Sequence, residues 1–201
     1  MGLFNHDNSF FKFVSRVTDA FILNLLWLLC SLPLVTAGAA TCAAFSVSLK
    51  MVDDEEGYIA KSFFKAFREN FKQGTILWCV SLPLMYLLYL LWQVCIKVEE
   101  KSVLALVGCI LVTSLFISVT LYAYPLIARY ENSLKNILKN SFGIFVQYFG
   151  RSVLLVLLIA VELIVIFYNR WTLIAGVLIG PEFIIFTISW MAKRIFQKIE
   201  N

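Results

Sequence analysis

Long stretches of this sequence carry no charge. Residues 20–49, 74–96 and 102–128 contain no Asp, Glu, Lys or Arg; residues 152–169 hold only Glu162, and residues 171–192 hold only Glu182. Charged residues make up 15% of the chain against 61% hydrophobic, while soluble domains carry about 25% charged. An ordinary soluble domain is therefore excluded. The runs lack strict two-residue alternation, so a transmembrane barrel is not expected, and backbone groups in hydrocarbon must be paired within each segment, which selects helices. Histidine occurs once, at His6, so a His-based metal site has nothing to build on. Cys30, Cys42, Cys79, Cys95 and Cys109 all fall in apolar segments without CxxC spacing, and read as small packing residues. A glycine-rich phosphate loop with its following lysine is missing, as is a G-x-S-x-G turn, so ATPase and serine-hydrolase chemistry have no support. The expected protein is non-enzymatic, with no cofactor and no bound metal. The N-terminus lacks the pattern of a cleaved signal, because an uncharged run of 30 residues continues past any cleavage position.

What is present is a series of runs long enough to span a bilayer core of about 30 Å, which takes roughly 20 helical residues. The first run, 20–49, is too long for one upright span and is interrupted around Pro33, Thr36 and Gly38. Pro33 removes a backbone donor and disfavours helix at Leu32. Splitting the run there gives six segments over about 17–34, 36–52, 74–96, 102–126, 152–168 and 171–192; leaving it as one kinked span gives five. With six, 14 of the 17 Lys and Arg fall on one side and only Lys97, Lys101 and Arg170 on the other. That asymmetry obeys the positive-inside rule better than five segments do. It also accounts for the net charge of +4 without nucleic-acid binding. The expected fold is thus an all-α polytopic bundle in a single domain, with both termini cytoplasmic.

Two segments between the spans are amphipathic. Over 58–73, Ile59, Phe63, Phe67 and Phe71 recur every four residues, with Lys61, Lys65, Arg68 and Lys72 on other faces. Over 134–149, Leu134, Leu138, Phe142, Phe145 and Phe149 make a similar stripe beside Lys135 and Lys139. Both read as helices lying at the membrane surface, or as a face for a partner protein. The acidic run Asp53-Asp54-Glu55-Glu56 reads as a solvated turn. Trp92, Tyr168 and Trp171 mark one interface and Trp78, Tyr122, Tyr124 and Trp190 the other, as aromatic belts do.

Glu162 and Glu182 are the candidate polar site, because ionisable groups inside a bilayer are costly. Glu162 lies 11 residues after Arg151 and Glu182 lies 11 before Lys193, so both sit roughly 16 Å from the basic boundary. Adjacent segments joined by a short turn could bring them together to share a proton or bind a cation or hydroxyl. Without a base in any span, the plainer account is a pair of hydrogen-bonded neutral acids. Pro181 interrupts the last segment, freeing carbonyls for a ligand or for packing. Asn24 suits an interhelical hydrogen bond.

Three stretches carry a resemblance: Asn24-Leu25-Leu26-Trp27 with Leu32-Pro33-x-x-Thr36-x-Gly38; Phe63-Phe64-x-x-Phe67-x-x-Asn70-Phe71-Lys72-Gln73; and Tyr124-Pro125-Leu126-x-Ala128-Arg129-Tyr130. The chain resembles the YesL family of bacterial membrane proteins, a domain of unknown function. The resemblance implies a bacterial plasma-membrane protein, multi-pass, with the lipid bilayer as its setting. Genes of that family often neighbour sugar ABC transporters and polysaccharide-degrading enzymes, so the implied role is an accessory component of carbohydrate uptake, with transporter subunits as partners. The alternative reading is a small transporter or channel built on the intramembrane carboxylates, which lie outside the resembling motifs.

Overall fold

The computed structural model describes residues 9–55, 57–97 and 103–200; His6, Glu56, Lys101 and the first residue of the 102–126 segment lie outside the described residues. Helices follow one another along the chain: α1 (Ser9–Ser31), α2 (Ala37–Met51), α3 (Ile59–Lys97), α4 (Val103–Arg129), α5 (Leu134–Gln147), α6 (Phe149–Phe167) and α7 (Arg170–Glu200), with one 3-10 turn, Leu34–Thr36, before α2. Among the described residues there is no strand. Six helical segments are long and apolar enough to cross a membrane: Val14–Ser31, Leu34–Met51, Ile59–Lys97, Val103–Arg129, Phe149–Phe167 and Arg170–Glu200.

The first run is a hairpin of two helices. Leu32 and Pro33 stop α1, leaving its last carbonyls without helical partners. The Thr36 hydroxyl donates to the Cys30 carbonyl at 2.6 Å and so closes the turn. After it, α2 begins with Ala37, Gly38, Ala39 and Ala40, and most of its length is buried. In lipid, helices gain little from burying apolar side chains against one another, so close packing of small residues carries the contact. At Gly38 a Cβ would overlap the Gly74 carbonyl oxygen and lie 2.5 Å from the Trp78 Cβ. The backbones of α2 and α3 therefore touch, and α2 packs at the centre against α1, α3, α4 and α7. A second close approach joins α6 to α7, where Ile166 fills the notch over Gly176 and Gly180.

The expected surface helix over 58–73 is not a separate element. It is the first part of α3, which runs 39 residues without a break. At 1.5 Å per residue that is about 58 Å, nearly twice the apolar thickness of a bilayer. The reason lies in the inner stripe: Ile59, Phe63, Ala66, Gly74, Leu77 and Ser81 are all buried, at helical spacing straight through the junction. Phe63, expected on a surface face, is fully buried. Phe67 is half-buried and Phe71 exposed, while Lys61, Lys65, Arg68 and Lys72 are all exposed.

The second amphipathic segment does form its own helix. Ser133 caps α5 by accepting from the Asn136 amide, and Tyr148 leaves helical geometry before α6 starts. The face of α5 that is buried holds Ile137, Ser141 and Ile144; Leu138, Phe142 and Phe149 of the expected stripe point outward. Tyr122 and Tyr124, expected in an interfacial belt, are instead core residues, and the Tyr122 hydroxyl meets the Ser152 hydroxyl at 2.8 Å. The thiols of Cys95 and Cys109 stand 2.8 Å apart between α3 and α4, a proximity that their spacing in sequence does not show.

Polar links tie the chain together at one end. Arg16 pairs with Asp54, and Lys193 pairs with Asp53 and donates to the Leu49 carbonyl at 3.1 Å. Gln73 donates to the Asn132 carbonyl at 2.9 Å. Arg129 grips the Glu200 carboxylate through both nitrogens, with Tyr130 donating to the same group. Asp53 and Asp54 lie exposed in a turn, as expected of the acidic run, and serve as ion-pair partners as well. Burial and then the bond to Glu200 push the Tyr130 phenol up to about 12, so this clasp keeps its donor until pH rises through that value. Lys97 and Arg170 lie at the opposite end of α3 and α7.

Candidate functional site

The structure does not bring Glu162 and Glu182 into one site. The Glu162 Oε1 accepts from the Thr187 hydroxyl at 2.6 Å, and its side chain borders an apolar crevice of about 360 Å³ with Ile166, Gly176 and Phe183. Glu182 turns the other way and is 1% exposed. No hydrogen bond joins the two carboxyls among the described residues. Residues 182 and 187 on α7 differ by five positions, which is well over 100° of helix rotation, and that separates the two environments.

What the fold does unite is Asn24 with Glu182, through Pro181. A proline at 181 has no N–H for the Val177 carbonyl four residues earlier. Asn24, fully buried on α1, takes up what is left over. Its Nδ2 donates to the Leu178 carbonyl at 2.7 Å and the Val177 carbonyl at 3.3 Å. Its Oδ1 accepts from the Glu182 amide at 3.2 Å. One side chain thus bridges three backbone groups, and α7 stays a single helix through Pro181. The carbonyls expected to be free for a ligand are occupied.

The Glu182 carboxyl continues this polar seam. Ser48 of α2 faces it without meeting hydrogen-bond geometry, so both carboxyl oxygens and the Ser48 hydroxyl are buried and unpartnered within the fold. Ser189 is a further buried, unpartnered hydroxyl, seven positions along α7. Lys193, 11 positions from Glu182 and 5% exposed, ends the seam. Its ammonium is taken by Asp53 and Leu49, roughly 16 Å of helix from the carboxyl, so it does not neutralise Glu182. The Glu182 carboxyl, almost wholly buried, can hold a proton or accept a hydrogen bond. Among the described residues no group of three metal-ligating side chains is assembled. Sequence reasoning passed over Ser48, Ser189 and Thr187, and named Lys193 and Asp53 without pairing them. The spacing of Ser189 and Lys193 from Glu182, seven and 11 positions, is one helical face and was the available signal.

The other predicted residues fall into two groups. Pro33, Thr36 and Gly38 are structural: two make the α1–α2 turn and the third makes the α2–α3 crossing. Lys61, Lys65, Arg68, Lys72 and Phe71 lie on the outside of α3, and Lys65 pairs with Glu69 at 4.0 Å.

Fold and site together define a polytopic helical membrane bundle with a buried polar stripe along α7. Residues 20–92 match the model of a family described as a protein of unknown function, DUF624. The matched stretch covers α1 from Ala20, the turn, α2 and most of α3, and therefore the Gly38–Gly74 crossing, but neither Glu162 nor Glu182. No curated protein matches the chain, and no solved structure does.

Proposed function

We propose that this is a non-enzymatic accessory protein of a bacterial plasma membrane that docks to another membrane complex, with its basic end and C-terminus in the cytoplasm. The observation that carries the reading is the first third of α3. It is a continuous helix, anchored inward by Phe63, that exposes Lys61, Phe64, Arg68 and Phe71, the two rings standing edge-on to Phe63 and Phe67. Exposed aromatics and arginine, here Phe64, Phe71 and Arg68, are what interfaces enrich. The orientation follows from the charge asymmetry, and the resemblance points to sugar ABC transporter subunits as the partner. Native membranes prepared under sugar induction supply the test. Phe64→Asp with Phe71→Asp is expected to reduce co-purified permease by roughly tenfold or more, while the variant keeps its own expression and melting temperature. Unchanged recovery refutes docking through this face. Phe63 is unsuitable for the test, because its replacement opens the core.

A second reading is favoured by one observation, the buried Glu182 carboxyl with no partner on either oxygen. Under it the protein is a small transporter whose seam carries a proton. Glu182→Gln is then expected to abolish pH-dependent flux in proteoliposomes; flux equal to that of the unaltered protein sinks the reading.

A further inference from the structure

A groove runs between α3 and α4 with a volume of about 500 Å³. Its walls include Ile76, Val80 and Leu84 of α3 and Leu115 and Val119 of α4, and Leu134 of α5 closes one end. The hydroxyls that border it are already used: Ser81 donates to the Leu77 carbonyl at 2.6 Å and Thr120 to the Phe116 carbonyl at 3.0 Å. The lining therefore offers an occupant no free hydroxyl donor and is almost wholly apolar.

The α3 lining runs from Ile76 to Leu91, about 22 Å at the helical rise. One leaflet's hydrocarbon is roughly 15 Å deep, so an acyl chain that enters at one end lies along the groove for its whole depth.

The end of the groove at Leu134 is basic. Lys72, one turn before Ile76 on the same i, i+4 ridge, is exposed, and so is Lys135, next to Leu134. The bond from Gln73 to the Asn132 carbonyl holds the α4–α5 elbow against α3 at this level, so both lysines stand at one mouth. Of the acids near this mouth, Glu69 is paired with Lys65 and Glu131, beside Asn132, is exposed, which leaves the two lysines in excess. A ridge that passes from cationic to apolar along an open apolar groove matches a phospholipid of negative headgroup, charged at one end and apolar along its chains.

We infer that the α3–α4 groove is a binding site for one anionic phospholipid, its acyl chain along Ile76, Val80 and Leu84 and its phosphate at Lys72 and Lys135. This site is separate from the docking face, which uses Lys61, Phe64, Arg68 and Phe71. The test is native mass spectrometry of the full chain in a neutral detergent, after exchange with phosphatidylglycerol or phosphatidylcholine of the same acyl chains. One bound phosphatidylglycerol is expected, retained in preference to phosphatidylcholine. Lys72→Gln with Lys135→Gln is expected to lower that preference by about fivefold per charge removed. Leu84→Trp, at an exposed groove position, is expected to reduce retention of both lipids. Equal retention of the two lipids by the unaltered protein overturns the inference. So does retention unaffected by Leu84→Trp in a variant of unchanged melting temperature, or a mass increment equal to a second copy of the chain.

Discussion

Replacing Asn24 with Leu is expected to lower the unfolding free energy by about 2–4 kcal/mol, because it strands buried polar groups that cost about 1–3 kcal/mol each when left unmade. Asn24 satisfies the Val177 and Leu178 carbonyls and the Glu182 amide together. Leucine keeps the same branching at the γ carbon and is the bulkier of the two, so the loss does not come from a cavity. The proline makes the effect separable. In the same background, Pro181→Ala supplies the missing N–H to the Val177 carbonyl and lets the Glu182 amide return to Leu178. The double variant is expected to recover roughly 1–2 kcal/mol, as residues sharing one network couple by that order. Denaturant unfolding in detergent, followed by tryptophan fluorescence, measures both single variants and the double one. If Asn24→Leu costs the same in the Pro181→Ala background as it does with Pro181 in place, the bridging role is wrong.

Gly38→Ala is the second large effect, and its sign is informative. One methyl at this position overlaps the Gly74 carbonyl oxygen and meets the Trp78 Cβ at 2.5 Å. Neither is the free end of a flexible side chain, so α2 and α3 must separate. Overpacking of a tight contact costs about 1–3 kcal/mol and occasionally more; with α2 in contact with four other helices, about 3 kcal/mol or above is expected. Gly108 is the control. It also lies inside a helix, but a Cβ there meets nothing within 4 Å, so Gly108→Ala is expected to be neutral or to gain up to about 1 kcal/mol from reduced chain entropy. Melting temperatures of the two variants in the same detergent decide the matter. Similar small shifts for both would show that the crossing has room.

Much of the architecture was legible because it rests on local properties. A charge-free run of span length commits itself to lipid whatever its neighbours do, and the six segments follow from composition. The turn at Pro33 was legible too, since proline acts on its own backbone and on the residue before it. Gly74 shows where such reading stops. It stands where a basic amphipathic stretch gives way to an apolar run, which reads as a boundary between two helices. The helical period crosses that point intact, and the glycine is there for the approach of Gly38, 36 residues earlier in the chain. Phe63 illustrates the same limit: its stripe was visible, but not whether the stripe faced lipid or α2.

The carboxylates mark the division most plainly. Residue order alone places Glu162 and Glu182 at similar depth in apolar segments, because depth is a count of residues along a helix. It took the packing of the helices to show that the two do not meet, that Asn24 rather than Glu162 is joined to Glu182, and that the seam runs on through Ser48 and Ser189 to Lys193. Rotation of one helix against another is set by which small residues allow backbones to touch, here Gly38 with Gly74 and Gly176 and Gly180 with Ile166. Those contacts are between residues on different helices, and no local pattern carries them.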